Sequence, residues 1–298
     1  MTTQAWNTRL RHDDDATFRE WGLELSTKLA AAGLVQTADT GQINWATVLR
    51  VTSNTDAGYE IWRMNDAMQA TAPVFFRIAY GTHTGVTGPR IQITSGTATN
   101  GAGVLSGIGG LSLPIHATAS QTLDTPRQSY LCVTEGFFGL NWKTVQTVNN
   151  GEGFYAFCRT VDADGVPTAL GSMQVWGNGS QNSLGRTQAF RYAAPAVAYQ
   201  SRQGVGDTAL CLNPQTQAGS AMGADYQAML AWTITPAVAP LVGVCGVVAT
   251  EVAQGATFAL VAVGTTSHNY MAVGVGAGPA GQVAGGSQGG LRFAMLWE

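Results

Sequence analysis

The stretch PVFFRIAY, residues Pro73–Tyr80, decides the fold class of this chain. It is rich in aromatic and β-branched residues, which are the residues that strands favour. The stretches on either side of it, Gly58–Arg63 and Arg90–Thr94 (RIQIT), alternate between the two faces of a strand. Turn-forming residues such as Gly81 separate these runs. Short strands at this spacing predict an antiparallel sheet or sandwich.

The second half of the chain contains a clear hairpin pattern. Two apolar runs, Gly153–Val161 (GFYAFCRTV) and Thr168–Trp176 (TALGSMQVW), flank the sequence DADGVP at residues 162–167. Gly165 can adopt a positive φ, and aspartates suit the neighbouring turn positions. We therefore expect a hairpin, and it accounts for the Asp162-x-Asp164-Gly165 pattern without the further ligands that a calcium loop requires.

Further strand-like runs occur through the second half: Ser129–Thr134, Gly136–Val145, Ala189–Tyr199, Leu210–Leu212, Ala228–Thr235, Leu241–Thr250, Phe258–Val263, Tyr270–Val275 and Leu291–Trp297. We expect the last run to close a sheet. Pro236 and Pro240 indicate a turn or an edge strand, because proline cannot donate to a central ladder. The glycine-rich stretch Gly274–Gly290 indicates a loop or arm.

One amphipathic helix is predicted near the N-terminus. Asp13–Asp15 place negative charge where a helix begins, and Thr17 with Glu20 fits a capping box. Apolar residues then recur at helical spacing: Phe18, Trp21, Leu25 and Leu29. Gly33 suits the position after the helix end. The predicted fold class is thus mainly β, with antiparallel β-sandwich or barrel-like domains and this one helix.

A change in composition suggests two domains. The stretch Thr97–Ile115 is dominated by Gly, Ser and Thr, so its backbone is either mobile or held by close neighbours. We place a boundary near residue 120. Residues 1–120 would form an attachment and assembly domain with the helix, and residues 121–298 a β-sandwich-like domain with glycine-rich loops.

Charged side chains are scarce. The 298 residues include 15 basic and 18 acidic side chains, so that only 11% are charged, against about 25% in an ordinary soluble domain. Covering a surface of small polar groups with a neighbouring subunit costs little desolvation free energy, because few ions lose their contact with water. We therefore expect assembly with other subunits; the alternative is a secreted β-protein with a neutral surface.

Several partners and compartments are disfavoured by the sequence. The net charge of −3 provides no bulk attraction to nucleic acid or to an anionic membrane. No apolar run reaches the roughly 18 residues of a spanning helix, and the first 15 residues, MTTQAWNTRLRHDDD, lack the apolar core of a signal peptide. We expect no nucleic-acid partner, no membrane insertion and no Sec signal peptide.

Candidate metal and redox residues are scattered. The four histidines, at positions 12, 83, 116 and 268, have no metal-ligand spacing, and each is predicted to lie in a loop or on the surface. The four cysteines, at positions 132, 158, 211 and 245, form no C-x-x-C pair. Buried free thiols are the preferred interpretation, with a disulfide framework as the alternative.

Catalytic patterns are equally weak. Glu135, Glu152, Asp162 or Asp164 could supply the carboxylate pair of a glycosidase, but acidic residues near strands are common. No G-x-S-x-G elbow occurs, and the G-x-G-x-x-G match at residues 276–281 opens no helix. Tryptophans, among them those at 45, 62, 142 and 176, could stack on sugars, although core or interface positions are commoner. We predict no enzyme, and no catalytic, metal or cofactor-binding residue.

The N-terminal third resembles virion structural proteins of tailed bacteriophages, of the sort found in tails, baseplates and tail fibres. The resemblance covers roughly residues 6–110 and rests on four segments: residues 18–22 (FREWG), 33–45 (GLVQTADTGQINW), 58–63 (GYEIWR) and 77–82 (RIAYGT). None of these segments carries a catalytic residue. The rest of the chain is similar to phage β-structure in composition only.

The resemblance implies a virion subunit that assembles in the host cytoplasm by protein–protein contact. It implies a homo-oligomer in a ring or fibre, with other virion proteins as further partners. Two alternatives remain at this point. One is a receptor- or carbohydrate-binding module at a fibre tip, with a host surface glycan as partner; the other is a capsid decoration or collar protein.

Overall fold

A computed structural model of the chain describes residues 2–9, 11–51, 55–82, 88–107, 115–116, 127–143, 152–176, 186–190, 202–203, 210–212, 226–232, 238–248, 255–260, 265–273 and 291–298. These residues form one α-helix, a short 3₁₀ turn at Ala67–Ala70 and twenty strands. The predicted fold class, mainly β with antiparallel sheets and one N-terminal helix, is confirmed.

The first half contains the helix and eight strands: β1 (Thr2–Thr8), α1 (Asp15–Ala31), β2 (Val35–Gln36), β3 (Asp56–Arg63), β4 (Phe75–Thr82), β5 (Pro89–Gly96), β6 (Ala98–Thr99), β7 (Leu105–Ser106) and β8 (Ile115–His116). The second half adds β9 (Arg127–Thr134), β10 (Phe137–Lys143), β11 (Glu152–Val161), β12 (Pro167–Trp176), β13 (Arg186–Phe190), β14 (Arg202–Gln203), β15 (Leu210–Leu212), β16 (Tyr226–Trp232), β17 (Val238–Val248), β18 (Thr257–Leu260), β19 (His268–Val273) and β20 (Leu291–Leu296).

The helix buries the predicted apolar stripe: Phe18, Trp21, Leu25 and Leu29 are all inaccessible to solvent or nearly so. Gly33, with φ of 106°, follows the end of α1 as predicted. The predicted capping box, however, is wrong by one turn. Asp14 is the N-cap, and its side chain accepts the Thr17 N–H at 2.8 Å while the Thr17 hydroxyl accepts the Asp14 N–H at 3.3 Å. Aspartate caps a helix at least as well as threonine, so Glu20 is left outside the box.

A five-stranded antiparallel sheet in the order β2-β3-β4-β5-β8 forms the N-terminal layer, the small sheet. Its register places Trp62 opposite Phe76, and the two side chains share one face. Two elements, α1 and β10, pack against this inner face. Tyr80 packs against Trp21 of α1 with ring centroids 5.9 Å apart, and Phe76 packs against Phe138 of β10 at 4.8 Å.

A two-stranded sheet pairs β6 with β7, and a thirteen-stranded sheet contains the other described strands. Its main path is β1-β9-β10-β11-β17-β20-β19-β18, with β12 to β14 extending from β11, and β15 and β16 extending from β17. One residue pair, Thr160 with Leu241, joins β11 to β17. The sheet folds over at this join, because residues on both sides of it, such as Cys132 and Met295, belong to one hydrophobic core.

Strands β9 to β11 form a central layer that is buried on both faces. Leu131 and Val133 belong to the core shared with the small sheet and α1, whereas Cys132 belongs to the core shared with β18 to β20. Phe138 belongs to the first of these cores and Phe137 to the second. Two buried faces explain the unbroken apolar runs Tyr130–Val133 and Tyr155–Cys158 in these strands, since central strands of layered proteins are apolar on both faces.

The predicted hairpin is present. β11 and β12 pair in antiparallel register around the turn, with Tyr155 opposite Val175. Gly165 has φ of 83°, and the Asp162 carboxylate accepts the N–H groups of Asp164 and Val166, each at 2.9 Å. The aspartates therefore form the turn, as predicted.

Strand β17 contradicts the interpretation of Pro240. The prediction was a turn or an edge, but β17 runs through Pro240, which stands opposite Leu230 of β16. β17 also pairs with β11 and β20, so it is a central strand. The pairing with β16 shifts register between Ala228 and Met229, and such an irregularity is where a strand tolerates proline.

The first strand lies in the large sheet, because β1 pairs with β9 along its whole length, from Thr2 opposite Val133 to Thr8 opposite Arg127. The domain boundary near residue 120 falls among residues 117–126, outside the described residues, and stays a prediction. Pro236 and the glycine-rich stretch Gly274–Gly290 are also outside them.

Candidate functional site

The segment Gln36–Trp45 closes the free edge of strand β3. β2 pairs with β3 only as far as Gln36. Beyond it, the Thr37 N–H donates to the carbonyl of Ile61 at 2.9 Å, and the Ile61 N–H donates to Oε1 of Gln42 at 2.7 Å. The side-chain amide of Gln42 thus occupies a position where the free edge of the sheet could otherwise pair with another strand.

Hydrogen bonds hold Gln42 in this role. Its Nε2 donates to the carbonyls of Thr37 at 2.7 Å and Asp39 at 3.1 Å. The Asp39 carboxylate accepts from the Thr37 hydroxyl at 2.5 Å, from the Thr99 hydroxyl and from the Gly103 N–H at 3.1 Å. Burial alone would raise the pKa of Asp39, but these hydrogen bonds outweigh it and lower that pKa below its usual value.

The same segment orders the start of the glycine-rich stretch. The Thr40 N–H donates to the carbonyl of Gly101 at 2.8 Å, and the Tyr59 hydroxyl donates to the carbonyl of Thr40 at 3.1 Å. Gly103 has φ of 84°, and a Cβ there would lie 2.0 Å from the Tyr59 hydroxyl. The sequence analysis left two alternatives for this backbone, a mobile segment or one held by close neighbours. Residues 97–107 are held by close neighbours.

A buried carboxylate links the helix to the small sheet. Glu60 is 1% exposed, and its two oxygens accept four hydrogen bonds: from Ser26 Oγ at 2.8 Å, Trp45 Nε1 at 2.9 Å, Trp62 Nε1 at 3.1 Å and Tyr80 Oη at 2.6 Å. These donors satisfy the carboxylate without a cation. Burial, followed by the adjacent Glu60 charge, raises the pKa of Tyr80 well above its usual value.

His12 lies in the loop between β1 and α1, which agrees with the predicted loop or surface position. Its side chain is nevertheless completely buried. Nε2 lies 2.9 Å from the Thr82 hydroxyl, and the ring packs on Phe18 and Trp21 with centroids 5.0 and 5.9 Å away. Burial and the nearby Arg50 charge lower the pKa of His12 to about 3, so the imidazole is neutral at physiological pH.

An ion pair ties the small sheet to the central layer. Arg159 of β11 binds Asp66 through two parallel hydrogen bonds of 2.7 and 3.0 Å, and both side chains are buried. Such a bidentate pair fixes the geometry of both partners. It joins positions 93 residues apart in sequence, and for this reason sequence analysis did not detect it.

Two cavities flank the Asp66–Arg159 pair. The larger, about 290 Å³, is lined by Asp66 and Glu135 among others. The smaller, about 210 Å³, is lined by Arg159, Glu135, His268 and Glu298. Nδ1 of His268 lies 2.7 Å from Oε1 of Glu298, an arrangement that orients an imidazole in hydrolases. Among the described contacts, no hydroxyl or thiol is a partner of this imidazole.

The structure brings three of the four candidate glycosidase carboxylates to one end of the molecule. Glu135 lies in the β9–β10 turn, and Asp162 and Asp164 lie in the β11–β12 turn; all three are exposed. A glycosidase acid instead needs an apolar pocket that keeps it protonated. The side chain of Glu152 is outside the described residues.

The described tryptophans do not form an exposed sugar-stacking surface. Trp6, Trp21 and Trp62 are buried, and Trp45 is half-buried against α1. The side chains of Trp142 and Trp176 lie outside the described residues.

Cys132 and Cys158 are buried free thiols, as the preferred interpretation of the cysteines predicted. Burial raises the pKa of Cys132 to about 12 and that of Cys158 further. The side chains of Cys211 and Cys245 are outside the described residues.

Within the described part of the chain, no three His, Cys, Asp or Glu side chains are placed to hold a metal ion. No described helix is both long and apolar enough to cross a membrane. No protein-family model matches the chain, and comparison with curated proteins and with solved structures finds no significant match.

Proposed function

We propose that this chain is a structural subunit of a tailed-bacteriophage virion, placed in the tail, baseplate or fibre region, and that it acts by protein–protein assembly without catalysis. The observation that carries the proposal is the scarcity of charge, 11% of residues, on a β-rich architecture. A surface of this kind loses little solvation free energy when a sister subunit covers it.

The role of the segment Gln36–Trp45 supports the proposal. Its polar side chains bind backbone groups of the same chain: Gln42 closes the edge of β3, and Asp39 holds the turn at Gly103. A closed edge prevents uncontrolled edge-to-edge association between copies. A subunit that is present in many copies needs this protection, because its association must occur only at the intended surfaces.

Exposed apolar side chains also support it. Leu23, Leu49, Val104 and Val166 are between 52% and 66% exposed. Single exposed apolar residues are ordinary on a monomer. In this chain they add apolar contact area that a neighbouring subunit could bury.

Purified virions of the bacteriophage that encodes the chain provide the test. We expect mass spectrometry of gradient-purified particles to detect the chain at several copies per particle, and a cryo-EM map of the particle to contain its layered β-fold in the tail, baseplate or fibre. Absence of the chain from particles that are otherwise complete would refute the proposal. Detection in the capsid shell or collar would refute its placement.

A further inference from the structure

Two arginines of the small sheet lie together without a described carboxylate partner. Other described arginines form ion pairs, as in Arg11 with Asp13 and Arg159 with Asp66. Among the described residues, no carboxylate pairs with Arg63 or with Arg77. In a chain with 11% charged residues, two such arginines on one face form a distinct surface feature.

Arg63 and Arg77 lie on the outer face of the small sheet, opposite α1. The register places Arg77 opposite Ile61 and Arg63 opposite Phe75, so the two arginines are diagonal neighbours about 7–8 Å apart at Cα. Both are half-exposed. The Arg77 guanidinium stacks over the Tyr59 ring at 4.3 Å, which fixes its orientation. We call Tyr59, Arg63, Phe75 and Arg77 the arginine face.

No described carboxylate neutralises either arginine, so the arginine face keeps its positive charge. An acidic surface that covered this face would supply the missing counter-charge. Guanidinium groups are suited to the task, because they bind carboxylates through paired hydrogen bonds and are weakly hydrated.

The complementary surface lies where the turns of β9–β10 and β11–β12 meet. The two turns are joined by the Arg159 N–H, which donates to the carbonyl of Gly136 at 2.7 Å. They expose Glu135, Asp162 and Asp164, which we call the acidic corner. No described cation pairs with any of these three carboxylates.

Each surface also carries an exposed valine. Val104, 60% exposed, follows Gly103, which lies against the Tyr59 ring of the arginine face. Val166, 55% exposed, ends the turn of the acidic corner. Each surface therefore offers a small apolar contact beside its charges, as in the core and rim of an interface.

We propose that copies of this chain associate head-to-tail, with the arginine face of one copy docked on the acidic corner of the next. The proposal rests on the assembly role above and specifies the surfaces involved. Because the two surfaces are different parts of the molecule, the contact is heterologous, and its repetition generates a ring or a filament. The partner is a second copy, because one chain carries both complementary surfaces.

Charge reversal on the purified full-length chain tests the contact. We expect the wild type to form oligomers in sedimentation velocity and light scattering. Their mean mass should fall when NaCl is raised from 0.1 to 1 M, because the Debye screening length decreases from about 10 to 3 Å. The pair Arg63→Glu with Arg77→Glu, and separately the pair Glu135→Lys with Asp164→Lys, should each raise the dissociation constant about a hundredfold or more.

Mixing the two double variants provides the decisive measurement. Neither variant can self-associate, because each now presents like charges on both surfaces. Together they present opposite charges at every contact of an alternating assembly, so oligomers should reappear in the equimolar mixture. Circular dichroism and the urea midpoint of each variant show whether it is folded. If the arginine pair unfolds the chain, the single variant Arg63→Glu replaces it, since Arg63 does not stack on Tyr59.

Two acids of α1 provide a matched control. Glu20 is exposed and Glu24 is half-buried, and the pair Glu20→Lys with Glu24→Lys should leave assembly unchanged. Loss of assembly in this control, a monomeric wild type at all concentrations, or no recovery in the mixture would each overturn the proposal. Detection of the chain in virions together with any of these results would leave the proposed function standing and reject only the head-to-tail contact.

Discussion

Replacement of the buried histidine His12 by glutamine should remove most of the acid sensitivity that this site confers on the fold. In the folded chain the imidazole is completely buried among Phe18, Trp21 and Thr82. Its pKa is about 3, against 6.5 without the protein environment. Glutamine keeps a polar group that can reach the Thr82 hydroxyl, and it does not titrate.

The magnitude follows from the two pKa values. Below pH 6.5 the unfolded chain binds a proton at His12 while the folded chain does not, so acid favours unfolding. The stability contributed by the neutral imidazole is present above pH 6.5 and is lost as the pH falls from 6.5 towards 3. The loss amounts to about 1.4 kcal/mol per pH unit in that window, or about 2 kcal/mol between pH 7 and pH 5.

Urea denaturation at pH 7, 6 and 5 measures the effect. The difference in free energy of unfolding between the wild type and His12→Gln should shift by about 2 kcal/mol in favour of the variant from pH 7 to pH 5. Titrations common to both proteins cancel in this difference. Thr82→Ser keeps the hydroxyl and should follow the pH profile of the wild type. Parallel profiles for the wild type and His12→Gln would refute the buried, neutral histidine.

Three further substitutions test other contacts by urea denaturation. Gly22→Ala should destabilise by about 2 kcal/mol or more despite the better helix propensity of alanine, since its Cβ would lie 1.9 Å from the Trp45 ring; a stabilised variant would contradict this packing. Gln42→Ala should cost about 1–2 kcal/mol and speed hydrogen exchange of the β3 amide that it caps; unchanged exchange would mean that water caps the edge equally well. Asp66→Asn should cost about 3 kcal/mol or more, because it leaves Arg159 buried without its counter-charge; Asp164→Asn, in an exposed turn, is the control and should stay within about 0.5 kcal/mol.

The elements that the sequence predicts well are those whose signals are local. The apolar stripe of α1 from Phe18 to Leu29 and the turn around Gly165 each depend on residues within a few positions of one another. Helix periodicity and turn chemistry act over that range. Both elements are present at the predicted places, with shifted boundaries.

The features that sequence analysis missed depend on contacts between distant segments. Glu60 is buried because Tyr80 and the helix residue Ser26 supply donors to it, and nothing in the local sequence GYEIW indicates this. His12 is buried because α1 folds back over it, and Pro240 is accommodated by irregular pairing with β16. The candidate site could not be predicted for the same reason. Its smaller cavity lies between the β9–β10 turn, the β11–β12 turn and the end of the chain, and its larger cavity between the end of α1, the segment after β3 and the β9–β10 turn.

The pairing of β1 with β9 has a consequence for biosynthesis. Trp6 stands opposite Ser129, so β1 leaves the ribosome long before its partner strand exists. At about 5–20 residues per second, the nascent chain carries an unpaired strand for many seconds while α1 and the small sheet form behind it. On a crowded polysome, β1 of one nascent chain can therefore meet β9 of another, and strand exchange between copies becomes the characteristic misfolding route of this topology.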